Sequence, residues 1–157
     1  MQWTTLAATS LGALIAMGSS FLVELRKDRR ETFAEFRRGR RELYGAYLSK
    51  LAKTRGDLAL LALNRSLETA ERVVRARQAF DGCYELRYQL EVFAPRAVVE
   101  RALVYFRSVR ALRDATAVGM EEGEEEYEQT FREVMRALAE LRTVMRQDMG
   151  TDTLAGG

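Results

Sequence analysis

The densest group of chemically capable side chains is Glu121, Glu122, Glu124, Glu125, Glu126 and Glu128. Carboxylates packed this closely can bind a divalent cation. They do not follow the spacing of the helix-flanked calcium loop, however, and no second set of oxygen ligands accompanies them. The simpler reading is the acidic first turn of a helix, where negative charge meets the positive end of the helix dipole. As an exposed surface the cluster would dock a basic partner.

Other chemistry is constrained by what the chain lacks. It has no histidine, so the commonest general base and commonest metal ligand are both missing. Cys83 is the only cysteine, which rules out an intrachain disulfide and a thiolate zinc site. Cys83 also falls on an apolar stripe, where a thiol behaves as a small core side chain. Tyr84, Arg87 and Tyr88 would form a small polar pocket if their geometry brought them together. No phosphate loop, dinucleotide fingerprint or nucleophile elbow is present. These residues predict a protein that is not an enzyme, with no catalytic, cofactor or metal site.

A basic run follows the first 23 residues: Arg26, Lys27, Arg29, Arg30, Arg37, Arg38, Arg40 and Arg41. Arg37, Arg38, Arg40 and Arg41 could contact nucleic-acid phosphates, with Phe33, Phe36, Tyr44 and Tyr47 stacking on bases. Those aromatics fall at helical core spacing, so packing accounts for them more simply. A soluble or peripheral all-α nucleic-acid-binding module is thus the alternative reading, and nucleic acid is not the partner expected first.

The elements that would position these groups are all helical. Residues 1–23 carry no charged side chain, and Leu6, Leu11, Leu14, Ile15, Met17, Phe21, Leu22 and Val23 make them apolar. About 20 helical residues cross a bilayer's hydrocarbon core, and Trp3 suits an interface. A cleaved signal peptide would need positive charge before the apolar stretch, and none precedes it. A buried helix of a soluble protein is the other competing reading. The arginine and lysine excess after the stretch places the C-terminal side in the cytoplasm and the N-terminus outside. Arg26, Lys27, Arg29 and Arg30 would meet anionic lipid. Ala8, Gly12, Ala16 and Ser20 recur every four residues and would let a second membrane helix approach closely.

Beyond the membrane the apolar periodicity predicts an antiparallel bundle of about four helices. Helix one continues to Asn64 with a stripe of Phe33, Phe36, Leu43, Tyr47, Leu48, Leu51, Leu58 and Leu61. Helix two runs from an N-cap at Ser66 to Phe93, burying Val73, Ala76, Phe80, Cys83, Leu86, Leu90 and Phe93. Pro95 opens helix three, lined by Val98, Ala102, Tyr105, Val109 and Leu112, with Gly119 at its end. Helix four starts near Glu121, buries Tyr127, Phe131, Val134, Leu138, Leu141 and Met145, and stops at Gly150. The resulting organisation is a transmembrane helix over 1–23, a charged helical stalk over 24–35, a cytoplasmic bundle over 36–149 and a flexible tail over 150–157.

The segments Thr4-Thr5-Leu6-Ala7-Ala8-Thr9, Leu11-Gly12-Ala13-Leu14-Ile15 and Arg40-Arg41-Glu42-Leu43-Tyr44-Gly45-Ala46-Tyr47-Leu48, with the Arg-rich stretch between, cover the first third of the chain. In these the chain resembles a group of small uncharacterised actinobacterial single-pass membrane proteins. The resemblance implies a bacterial plasma-membrane location and carries over no activity and no site residue. The expected role is a membrane-anchored helical protein that mediates protein–protein interaction, by self-association or partner docking, at the cytoplasmic face.

Overall fold

A computed structural model describes residues 34–151. The expected spanning helix over 1–23, its stripe of Ala8, Gly12, Ala16 and Ser20, the lipid-contacting Arg26, Lys27, Arg29 and Arg30, and Phe33 lie outside the described residues. So do stalk residues 24–33 and tail residues 152–157. No helix among the described residues is long and apolar enough to cross a membrane. The chain divides into two units, Met1–Gly39 and Arg40–Gly157. Of the first, only 34–39 are described, and these are helical and exposed.

The Arg40–Gly157 unit is a helical bundle, with no strand among the described residues. Helix α1 is described from 34 to 63. Then come α2 (Thr69–Phe80), α3 (Cys83–Phe93), α4 (Arg96–Ala117) and α5 (Glu125–Asp148). The up-and-down course is pinned by ion pairs at the two ends of the bundle. Arg65, after α1, lies 2.8 Å from Glu121, before α5, and Arg40 on α1 lies 2.9 Å from Asp148 at the end of α5.

The fold corrects the sequence reading at three places along the chain. The second limb is two helices, broken at Asp81-Gly82. Gly82 has φ 77°, in the left-handed region where a Cβ is strained, and the Asp81 N–H donates to the Gln78 carbonyl to close α2. Helix α2 also starts later than expected. Glu68, not Ser66, stands at its N-cap, and the Ser66 hydroxyl donates to Asn64 Oδ1 at 2.9 Å. Pro95 precedes the first turn of α4, with its carbonyl accepting from Val98 and Val99. Helix α5 begins at Glu125 rather than Glu121.

The core forms because each helix repeats apolar residues at alternating steps of three and four. On α1 these are Tyr44, Tyr47, Leu51, Leu58 and Leu61, with Thr54 completing the series. All five expected positions on α4 are buried, joined by Phe106. On α5, Tyr127, Val134, Leu138, Leu141 and Met145 are buried and Phe131 is half-buried. Each fully buried Leu, Val or Phe contributes about 1.5–3 kcal/mol against leaving it in water. Two expected core residues are exposed instead. Phe36, in the Met1–Gly39 unit, is 46% exposed, and Phe93, the last residue of α3, is 52% exposed.

Polar groups inside this core tie specific elements together. Thr54 donates to the Ala79 carbonyl at 2.7 Å and approaches Cys83 Sγ at 3.4 Å, joining α1 to the α2–α3 limb. Arg72 is 5% exposed, and one of its guanidinium nitrogens donates to the Asn64 carbonyl at 3.0 Å, closing the end of α1.

Candidate functional site

The acidic segment lies at the end of the bundle opposite Arg40 and Asp148. Glu121 is tied to Arg65, while Glu122, Glu124, Glu125 and Glu126 are exposed and Glu128 is half-buried. Glu125, Glu126 and Glu128 occupy the first turn of α5, so the helix dipole favours them. Among the described residues no three acidic, Cys or His side chains converge in a cation-binding group. Beneath the segment, the Tyr127 hydroxyl is buried without a hydrogen-bond partner. Burial raises its pKa, and the nearby charges of Glu122 and Glu128 raise it further.

The basic end of α1 has a structural task. Arg40 Nη1 donates to both carboxylate oxygens of Asp148, at 2.9 and 3.2 Å, and the Tyr44 hydroxyl donates to Asp148 Oδ2 at 2.7 Å. Burial, and then the hydrogen bond to the anionic Asp148, push the Tyr44 pKa well above its ordinary value. Tyr44 is 4% exposed and Tyr47 is 0% exposed. Neither ring can therefore stack on a base, so the nucleic-acid reading loses two of its four aromatics.

Tyr84, Arg87 and Tyr88 come together, but they stack rather than frame a polar pocket. The Arg87 guanidinium carbon lies 4.4 Å from the Tyr88 ring centroid, 5.2 Å from Phe106 and 5.7 Å from Tyr84. The rings of Phe80, Tyr84 and Phe106 meet edge to face in a triangle, with centroid separations of 5.6, 5.2 and 5.1 Å. Arg113 lies over the outer side of this group, 4.8 Å from the Phe80 centroid. Each cation–π contact contributes on the order of 0.5–2 kcal/mol. The result is an aromatic platform built from the end of α2 with α3 and α4.

Above that platform α3 presents a row spaced by one helical turn: Tyr84, Tyr88 and Val92, which are 37%, 54% and 74% exposed. Tyrosine and arginine are among the side chains that dominate binding energy at protein interfaces. Sequence reading missed this row because it assigned Tyr84 and Tyr88 to a pocket. The one signal available was the four-residue spacing itself, offset from buried Cys83 and Leu90 and half-buried Leu86. A separate open groove of about 520 Å³ runs between α1 and α2, lined by Asp57, Leu60, Leu61, Asn64, Arg75, Gln78 and Ala79.

Cys83 is fully buried, and burial raises its thiol pKa above the ordinary value, with the Thr54 hydroxyl opposing that shift. A protonated, inaccessible thiol is a poor nucleophile. No protein-family model, curated protein or solved structure matches the chain.

Proposed function

We propose that this chain is a non-enzymatic, single-pass membrane-anchored helical protein whose bundle docks protein partners at the cytoplasmic face of a bacterial plasma membrane. The observation that carries the docking part is the exposed row of Tyr84, Tyr88 and Val92 on α3, backed by the Arg87 and Phe106 stack. An ordered aromatic row costs less conformational entropy on binding than a flexible one. The four exposed carboxylates ahead of and within the start of α5 supply a second contact, for a basic surface.

The anchoring part rests on sequence. Residues 1–23 are uncharged and of spanning length, and the basic run that follows suits a cytoplasmic, anionic leaflet. Arg26, Lys27, Arg29 and Arg30 would contact lipid, and Ala8, Gly12, Ala16 and Ser20 would face another membrane helix.

Site-specific photo-crosslinking in cells tests the docking face. A photoreactive side chain in place of Tyr88 is expected to trap a discrete protein adduct, while one in place of the exposed Ala111 on α4 traps none. Equal trapping at both positions, or none at 88, would overturn the assignment.

A further inference from the structure

Helix α5 carries a second periodic face besides the one it buries. Glu128, Arg132, Met135, Ala139, Arg142 and Arg146 recur at alternating steps of four and three, and Glu125 continues the series toward the N-terminus. Steps of four and three keep residues on one seam of a helix, the spacing by which two helices pair along their length. This seam is rotated away from the buried series of Tyr127, Val134, Leu138, Leu141 and Met145. All of it is exposed except the half-buried Glu128, and Met135 is 41% exposed.

The seam is acidic at one end, Glu125 and Glu128, and basic at the other, Arg142 and Arg146, with Arg132, Met135 and Ala139 between. The helix dipole explains acids in the first turn and Arg146 in the last. It does not explain Arg142, which stands more than a turn from the helix end. Its neighbours four residues away are Leu138 and Arg146, so no acid on its own helix can reach it. Among the described residues no carboxylate pairs with Arg132 or Arg142. A third arginine adds to the excess: Arg55 on α1 reaches the seam, with Nη1 3.2 Å from Met135 Sδ. Arg55 and Arg142 both act on the buried Tyr105 hydroxyl, where their positive charge opposes the upward push of burial on its pKa.

Laid parallel, two such seams would set glutamate on glutamate and arginine on arginine. Laid antiparallel, each acidic end meets a basic end, with Arg132, Met135 and Ala139 of each copy in the middle. We propose that two copies of this chain pair through α5 in antiparallel orientation, with Glu125 and Glu128 of each copy against Arg142 and Arg146 of the other. The contact is isologous, so it closes at two copies. This rests on the reading of the bundle as an interaction module, and it names the basic surface that the start of α5 meets. Because Arg40 contacts Asp148, the two Arg40 ends lie at opposite ends of the pair.

The test uses the full chain in mild detergent, with protein mass read by light scattering over a concentration series. The wild type is expected to pair, and to pair less well as salt rises. R142E/R146E and E125R/E128R each place like charges in contact, so each is expected to raise the monomer–dimer midpoint at least about tenfold. Mixed in equal amounts the two variants are complementary again, and pairing returns as a mixed species. If either double variant loses helical circular dichroism, R142E and E125R singly, and then mixed, ask the same question. A monomeric wild type, reversed variants that still pair alone, or a mixture that stays monomeric would overturn the proposal. Y88S/V92S alters only the α3 row and is expected to pair as the wild type does; loss of pairing there would overturn the assignment to α5. Loss of partner trapping with pairing intact bears on the α3 face alone.

Discussion

The Tyr47 hydroxyl on α1 donates a 2.8 Å hydrogen bond to the Ala102 carbonyl on α4, while the hydroxyl of Tyr105, one turn further along α4, is buried without a partner. Both rings are fully buried, so they differ in whether the hydroxyl's desolvation is compensated. A satisfied buried hydrogen bond contributes about 1 kcal/mol net, whereas an orphaned polar group carries its desolvation cost uncompensated. Tyr47→Phe is therefore expected to lower unfolding free energy by about 1 kcal/mol, and Tyr105→Phe to leave it unchanged or raise it. Urea denaturation of the two variants checks this. A larger loss for Tyr105→Phe would mean that its hydroxyl has a partner.

Glycines separate by backbone conformation. Gly82 sits at φ 77° in the break between α2 and α3, and an added Cβ there would meet only Lys50 Cε at 3.7 Å, an ordinary contact. The cost of Gly82→Ala is therefore backbone strain, about 1–2 kcal/mol. Gly45 and Gly56 lie inside α1, exposed, with nothing within 4 Å of an added Cβ. Alanine at either is expected to stabilise by about 0.5–1 kcal/mol. Thermal melts of the three single variants should show opposite signs. A destabilising Gly45→Ala or Gly56→Ala would point to another helix packed against that face.

Alkaline pH should unfold the bundle. Burial raises the pKa of Tyr44, Tyr47, Tyr105, Tyr127 and Cys83. In the folded state these groups hold their protons while the unfolded chain releases them. The unfolded state then binds fewer protons, and stability falls as pH rises. Loss begins near the ordinary thiol pKa of about 8.5 and steepens above about pH 10, approaching 1.4 kcal/mol per pH unit for each group affected. Urea midpoints from neutral pH upward measure it. A profile that stays flat above about pH 10 would show that the tyrosines ionise in place.

Substitutions on the α3 row should separate binding from stability. Tyr88 and Val92 are mostly exposed, so Y88S/V92S is expected to change unfolding free energy by less than about 1 kcal/mol while abolishing adducts trapped at neighbouring α3 positions. Unchanged trapping with an intact fold would remove the row as the docking face.

The helical class, the core faces of α4 and α5 and the antiparallel course were legible in the sequence, because apolar residues at three-and-four spacing leave a helix one face to bury. The break at Gly82 was also written there, as an Asp-Gly pair, but Ala76, Phe80, Cys83 and Leu90 keep helical spacing across it and mask the interruption. Arg72 and Thr54 were not legible as interior residues. Their burial depends on partners distant in sequence, the Asn64 and Ala79 carbonyls. Arg40 and Tyr44 offer a nucleic-acid surface only as an alternative reading, and their shared partner Asp148 is over a hundred residues away, beyond the reach of local pattern. The α3 row failed for a related reason: periodicity says which side chains share a face, but which face is covered depends on the other helices.

Docking at a membrane presupposes that residues 1–23 hold the chain there, and carbonate extraction tests this most directly. Membranes from cells producing the full chain are washed in high salt, extracted with alkaline carbonate and sedimented. A spanning helix keeps the chain in the pellet through both treatments, and only detergent releases it. Recovery of the chain in the salt or carbonate supernatant would contradict membrane anchoring.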